Sequence, residues 1–302
     1  MKHFTLPKEG GLIETGIPSD ILHSYEKIRT EIYDQSTTAS EVIADTIIDA
    51  INASKEKTFK LGLSTGVTPV SLYKWLTRKY QEGKVSFKNV EVYSIDEYYP
   101  YGKGEPQSRN KILHTSLLNA VDIKEENIHI PDGSVPGDKI SAYCEEYDKM
   151  ARNLDMLVIG MGEAGQVGFN EAGTTPSSRT RTVLLSYQSR KRQGKNFNGD
   201  FKHTPSEAIT VGIDTMMSAK KIILMAWGED KANAVKQVVE HKADSDFPAS
   251  FLQNHKDITC YVDETAASLL TRVVSPWLVG PCEWTRKFIR KAVVWLCQEV
   301  HK

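Results

Sequence analysis

Four cysteines in 302 residues, Cys144, Cys260, Cys282 and Cys297, stand far apart and form no C-x-x-C pair. That scatter argues against a cysteine-built zinc site and reads as buried free thiols in a reducing compartment. Long apolar runs are missing too. No stretch approaches the roughly 18 consecutive apolar residues of a membrane-crossing helix. The opening segment MKHFTLPKEGGLIETGIP has no apolar h-region of a secretory leader. Charge of one sign is not in excess either. Lys and Arg number 38 against 39 Asp and Glu, a formal net charge of −1, which gives no broad electrostatic pull toward nucleic acid or an anionic membrane. With 40% hydrophobic and 25% charged residues, the composition is that of an ordinary globular chain, long enough for one large domain or two small ones.

What is present is an alternation. FKLGLS precedes a helical pattern from Pro69 to about Tyr80, and NVEVYSID precedes a polar loop and then NKILHTSLLNAV. DMLVIGM leads into a glycine-rich loop, EAITVGI into DTMMSA, KIILMAW into EDKANAVKQVVEH, and ITCYV into DETAASLLTRV. Strand, loop and helix in repetition argue for an α/β fold, a mostly parallel sheet with helices on both faces. Ligands of such sheets bind beyond the C-terminal strand ends, so the loop after each strand is where chemistry is expected. The polar stretch 186–205 is poor in apolar periodicity and reads as a functional lid.

Four loops hold candidate residues. STGVTP, Ser64 to Pro69, offers backbone N–H groups, a helix start and the hydroxyls of Ser64, Thr65 and Thr68, which suits an anion. It has neither the Walker nor the dinucleotide-binding pattern. SIDEYYP sets Asp96 and Glu97 at a strand end, where adjacent side chains are expected on opposite faces. Such a carboxylate serves either as a base or as a helix-capping acid. SSRTRTVLL presents Arg179 and Arg181 at a spacing that lets both share one face of an extended segment. Lys231 in WGEDKANAV sits in the first turn of a helix, where a cation works against the dipole unless an anion is bound nearby. GMGEAGQVGFNE, Gly160 to Glu171, carries no histidine, serine, cysteine or aspartate, only the polar Glu163, Gln166, Asn170 and Glu171.

Taken together these stretches resemble the glucosamine-6-phosphate deaminase/isomerase family. STGVTPVSLY, SFKNVEVYSIDEYY, VDIKEENIHIPDG, GMGEAGQVGFNEAGTTPSSRTR, PSEAITVGI and DETAASLLT carry the likeness in one order from about Ser40 to Thr271. The related 6-phosphogluconolactonases share the layout but typically continue with Ser-Leu-Phe-Pro where this chain has Phe169-Asn170-Glu171. The resemblance implies a Rossmann-like sheet and a reaction on a hexosamine 6-phosphate without metal or cofactor. The ring opens, a carboxylate moves a proton between C2 and C1, and ammonia leaves C2. By position it implies Asp96 as the proton-transfer base and Glu171 as the acid supporting a ring-opening histidine. It implies Thr65, Gly66, Thr68 and Lys231 as the phosphate cradle, with Gly162 and Arg179 lining the site. Lys195 stands where a phosphate-binding arginine is usual, which keeps the charge and loses the bidentate fork.

The chain departs from the family pattern in the glycine loop. There the family reads Gly-x-Asp-Gly-His, and this sequence has Ala164-Gly165-Gln166. An amide hydrogen-bonds but exchanges no proton near neutrality. The two losses are coherent, because the aspartate orients an imidazole that is no longer there. Val67 is a further departure, a β-branched residue that disfavours positive φ where a small one is usual. His203 in the lid is a candidate substitute, and His114 reads as a core or capping residue. Two functions follow as expectations: a weak or altered hexosamine-phosphate isomerase/deaminase, or a sensor or partner domain that binds the sugar phosphate without turnover. The expected partner is a small-molecule hexosamine 6-phosphate in the cytoplasm, with no nucleic acid, no membrane and self-association as a homo-oligomer left open. The expected domains are 1–275 and a helical extension 276–302, in which WTRKFIRKAVVWL forms an amphipathic helix docked on its own domain or on a subunit. That tail resembles the junction in longer relatives that continue into a deacetylase-like domain.

Overall fold

The computed structural model describes residues 11–12, 25–54, 57–197, 199 and 201–300. Apart from positions 11 and 12, the segment 1–18, expected to lack a secretory h-region, lies outside the described residues. The strands are β1 (Arg29–Tyr33), β2 (Phe59–Leu63), β3 (Val90–Ser94), β4 (Asp96–Tyr99), β5 (Ile128–His129), β6 (Met156–Gly160), β7 (Arg181–Leu184), β8 (Glu207–Thr210), β9 (Ile222–Ala226) and β10 (Ile258–Asp263). The helices are α1 (Ser36–Ser54), α2 (Val70–Gln81), α3 (Arg109–Ser116), α4 (Ile140–Met150), α5 (Tyr187–Gln193), α6 (Ile213–Met216), α7 (Ala232–Glu240), α8 (Thr271–Val274) and α9 (Arg286–Val300).

The apolar runs that gave no polar face to the solvent became the sheet interior. β2, β6 and β9 are buried along nearly their whole length, as strands covered on both faces must be. They lie at the middle of a seven-stranded sheet of order β1-β10-β9-β6-β2-β3-β5, in which every pairing is parallel. One face is covered by α1, with Ile43, Ile47 and Ile51 buried one turn apart, and by Leu72 and Leu76 of α2. The other is covered by Tyr147 of α4 and by Val235, Val238 and Val239 of α7.

Two runs read as parallel strands go elsewhere. β4 and β8 pair antiparallel, and with β7 they form a separate three-stranded sheet. The reason sits at Ile95. Its N–H still donates to Leu63 O of the large sheet at 3.1 Å, while its carbonyl accepts from Val211 N at 2.8 Å. The chain therefore changes hydrogen-bonding partners at one residue and carries Asp96 into the small sheet.

The tail helix α9 forms as expected but buries none of its residues. Within the extension, Trp284 stacks on Trp277 at 6.1 Å and Phe288 of α9 meets the same ring edge-on at 6.2 Å. Among the described residues no helix is long and apolar enough to cross a membrane. The reading of four buried thiols holds for Cys144 and Cys260; Cys282 is half-buried and Cys297 exposed.

Asp148 of α4 ties the small sheet to the body. Its Oδ1 accepts from Thr180 N at 2.9 Å, from Thr180 Oγ1 at 3.0 Å and from Thr215 Oγ1, while Oδ2 faces Arg179 Nη2 at 2.8 Å. Burial opposes the charge, yet hydrogen bonds from Thr215, Thr180 and Arg179 outweigh it and hold the carboxyl at about 2. A group depressed on folding stabilises above its unfolded value and loses that contribution as pH falls through the folded one. Asp148→Asn is expected to cost about 2 kcal/mol at neutral pH, and its stability is expected to fall less than wild type between pH 4 and 2. Urea unfolding at pH 7, 4 and 2.5 measures both; an unchanged acid dependence would contradict the assignment.

Candidate functional site at the strand ends

The C-terminal ends of β9, β6, β2 and β3 are neighbours in the large sheet, and the loops that leave them hold most of the candidate residues. At the end of β2, Ser64 is buried and its Oγ accepts from Gly160 N at 3.0 Å. Its carbonyl accepts from the Tyr73 hydroxyl. The sequence placed Ser64 among the ligand donors; the structure uses its oxygens to fasten the loop to β6 and α2. Thr65 Oγ1 is buried with no hydrogen-bond partner among the described residues. Gly66 adopts φ +109° with open space where a Cβ would stand. Val67 is 86% exposed at the loop tip. The expected conflict between Val67 and positive φ does not arise, because Gly66 takes that conformation. The Thr68 carbonyl accepts from Trp227 Nε1 at 3.0 Å, and α2 starts after Pro69 with no side chain capping its N–H groups.

The glycine loop closes on itself. Gly160-x-Gly162-x-x-Gly165 has the spacing of a dinucleotide fingerprint, but no helix follows it; Met161 and Asn170 both bridge to Val167. A Cβ on Gly160 would lie 2.8 Å from Thr68 Cβ, so the β2 and β6 loops meet only because this residue has none. Gln166 folds its side chain back over Gly162, and its Oε1 accepts from Ala164 N at 3.0 Å. Ala164 and Gln166 thus bond to one another. Glu171 Oε2 accepts from Ser186 N at 3.0 Å where the lid begins, and its Oε1 is buried with no partner among the described residues. Glu163 reaches the lid too, 2.8 Å from Arg192 Nη1.

Beyond β3, Asp96 and Glu97 are both buried, at 5% and 1% exposure, and turn to different neighbours. Glu97 caps α3: it accepts from Arg109 N at 2.8 Å, Asn110 N at 2.9 Å and its neighbour Tyr98 N at 2.8 Å. Burial pushes Glu97 up to about 7, against the pull of the three N–H groups. Asp96 instead lies beside the glycine loop, where a Cβ on Gly168 would stand 3.4 Å from Asp96 Oδ2. Its Oδ1 has no hydrogen-bond partner among the described residues and lies 3.5 Å from Arg109 Nε. Burial raises Asp96 above the ordinary carboxylate range, with Arg109 opposing the rise.

Past β9, Gly228 turns with φ +91° and donates to the Asp263 carboxylate at 3.1 Å. Lys231 precedes α7, mostly buried, with Nζ 2.9 Å from Asp230 Oδ2. Lys195 is exposed in the short helical turn Gly194–Phe197 and makes no hydrogen bond or ion pair among the described residues. His203 is exposed, and His114 Nδ1 lies 3.2 Å from Asn119 Oδ1. Arg179 is not at the strand ends. Its guanidinium is committed to Asp148, and it lines a separate cavity of about 400 Å³ with Cys144 and Arg181. Arg181 turns to Asn170 Oδ1 at 3.1 Å, so the two arginines do not converge on one ligand. Arg109 was not singled out in the sequence; its only signal was Ser108, which caps α3 by accepting from Lys111 N.

A parallel sheet whose neighbouring strand ends carry a glycine turn, an uncapped helix start and partnerless buried oxygens defines an α/β protein with its candidate site at the strand ends. The chain belongs to the family of glucosamine-6-phosphate isomerases and 6-phosphogluconolactonases, whose family model matches residues 34–261. It is 38% identical to glucosamine-6-phosphate deaminase 2 of Bacillus subtilis over 74% of this chain and 90% of that one. It is also 38% identical to a glucosamine-6-phosphate deaminase-like protein of Bacteroides thetaiotaomicron, over 94% of this chain but 44% of that protein, so it spans less than half that relative's length. Among solved structures it is similar to a monomeric glucosamine-6-phosphate deaminase at TM-score 0.76 and 34% identity, covering 80% of this chain and 100% of that one. A 6-phosphogluconolactonase from Leishmania guyanensis, at 18% identity and TM-score 0.64 over 80% of this chain and 98% of that one, shares the fold.

Glu97 gives a direct check on how the site is framed. Glu97→Ala leaves the buried N–H groups of Tyr98 and Arg109 and the half-buried one of Asn110 without an acceptor, each buried one costing about 1–3 kcal/mol. The variant is expected to melt well below wild type in a thermal scan, and an unchanged melting temperature would refute the capping role.

Proposed function

We propose that the strand-end loops bind a hexosamine 6-phosphate and that the protein converts it slowly, as a glucosamine-6-phosphate deaminase with an impaired ring-opening step. One observation carries the reading. The buried oxygens left without partners here, Thr65 Oγ1, Asp96 Oδ1 and Glu171 Oε1, fall on the segments that follow β2, β3 and β6, three strands that are neighbours in the large sheet. Buried polar atoms ordinarily find partners, and a polyhydroxylated phosphate would supply them.

On this reading the turn at Thr65–Thr68, the start of α2 and Lys231 hold the phosphate, and Lys195 closes over it from the lid. The Asp96 carboxylate takes the proton from C2 of the open-chain aldehyde and returns it to C1. The resulting C2 imine takes up water, giving fructose 6-phosphate and ammonia. Ring opening needs a proton delivered to the ring oxygen. Gln166, bonded to Ala164 N, has none to give. Loss of one general acid–base costs about 10²–10⁴ in rate, so the protein draws on the small open-chain fraction of its substrate.

Incubation with glucosamine 6-phosphate is expected to release ammonia and fructose 6-phosphate slowly, and Asp96→Asn to abolish release. The double variant Ala164→Asp, Gln166→His is expected to gain about 10²-fold or more. Ligand at about 100 times its dissociation constant stabilises a fold by about 2.7 kcal/mol, so a melting shift accompanies binding. A background rate insensitive to Asp96→Asn, without a melting shift, refutes the reading.

A further inference from the structure

Arg109 opens α3, and its side chain is 5% exposed. From there it passes under β4. Its Cζ lies 4.7 Å from the centre of the Tyr98 ring and 5.2 Å from that of Phe169, while Nε stands 3.5 Å from Asp96 Oδ1. Charge and position are both unusual. A cation at a helix N-terminus works against the dipole. Withdrawing an ion from water costs several kcal/mol unless hydrogen bonds replace the hydration. A charge-assisted hydrogen bond between such groups runs to about 2.7–2.9 Å. Here both facing atoms, Arg109 Nε and Asp96 Oδ1, are buried without a hydrogen bond, and no guanidinium nitrogen of Arg109 has one among the described residues. The two aromatic faces fix the guanidinium in place while its hydrogen-bonding capacity stays unspent beside the carboxylate.

We propose that Arg109 is the positioning residue for Asp96: its guanidinium, held against Tyr98 and Phe169, is the positive charge that keeps the facing carboxylate in its proton-accepting form. The proposal rests on the reading of Asp96 as the proton-transfer base and adds the group that makes a buried aspartate usable as one. The titratable and charged groups around Asp96 are Arg109 from α3, Glu97 and Tyr98 from β4, Tyr73 from α2 and Tyr147 from α4. Burial holds the three phenols above their ordinary range, so they stay neutral at physiological pH. Glu97 is turned toward the backbone of α3. Arg109 is therefore the cation that faces Asp96 among the described residues. Burial strengthens the carboxylate as a proton acceptor, and the guanidinium opposes that rise.

The test is the titration of Asp96 in the ligand-free protein, followed by carboxyl ¹³C NMR with Asp96→Asn assigning the signal. In wild type the midpoint is expected above that of an ordinary aspartate and below pH 7. In Arg109→Gln it is expected at least one pH unit higher, with the acid limb of kcat/KM for ammonia release moving by the same amount, and Arg109→Lys restoring most of both shifts. An Asp96 midpoint unmoved in Arg109→Gln overturns the proposal. So does an Asp96 that is protonated at pH 7 in wild type, a result that needs no variant to fold. If Asp96→Asn abolishes turnover while Arg109→Gln moves nothing, the proposal fails and the assignment of Asp96 stands. If Asp96→Asn leaves turnover intact, that assignment fails and takes the proposal with it.

Discussion

The architecture of the strand ends depends on one close approach, that of Gly160 to the loop after β2. The Gly160 N–H is accepted by Ser64 Oγ, and the space where its Cβ would stand is filled by Thr68. Because the two strands run parallel and side by side, their loops emerge on the same edge. The missing Cβ is what lets them touch there. With Ser64 pinned, Thr65 and Gly66 project as an open turn; with Gly160 pinned, the glycine loop curls over Gly162 and brings Gly168 against Asp96. The Trp227 bond to the Thr68 carbonyl attaches the β9 loop to the same point.

Around that frame the charge is arranged unevenly. The glycine loop is filled by an amide closed on a backbone N–H. Beside it a buried carboxylate of β4 and a buried guanidinium of α3 face each other without a hydrogen bond. The titratable side chain thus stands on the β4 side of the loop and an amide on the β6 side. On the proposed reading this separates two steps of one reaction, leaving proton movement between carbons intact and the opening of the sugar ring without its carrier.

Much of this was legible in the residues. The uninterrupted apolar runs of β2, β6 and β9 can exist only as covered parallel strands, so the large sheet followed from them. The glycine spacing of the β6 loop and the S-T-G-V-T-P turn located the strand-end edge. The passage of Asp96 into a second sheet was not legible, because SIDEYY continues the β3 pattern unbroken and periodicity carries no record of which strand a residue pairs with. Arg179 was misplaced for a related reason. Its spacing from Arg181 set both on one face, but the tertiary partner Asp148 claimed one and Asn170 the other. Arg109 gave no signal because a basic residue in a polar stretch reads as surface until packing covers it. Whether Glu97 capped a helix or served as a base depended on the path of the chain twelve residues later, at Arg109.

The account stands or falls on where a sugar phosphate binds. Amide ¹⁵N chemical shifts, followed while glucosamine 6-phosphate is titrated into the protein and compared with glucosamine alone, locate that place directly. The phosphorylated sugar is expected to move the amides of residues 64–68, 162–171 and 228–231 together along one saturation curve, with glucosamine moving them little. Shifts confined to the cavity beside Arg179, or no saturable shift at all, would contradict it.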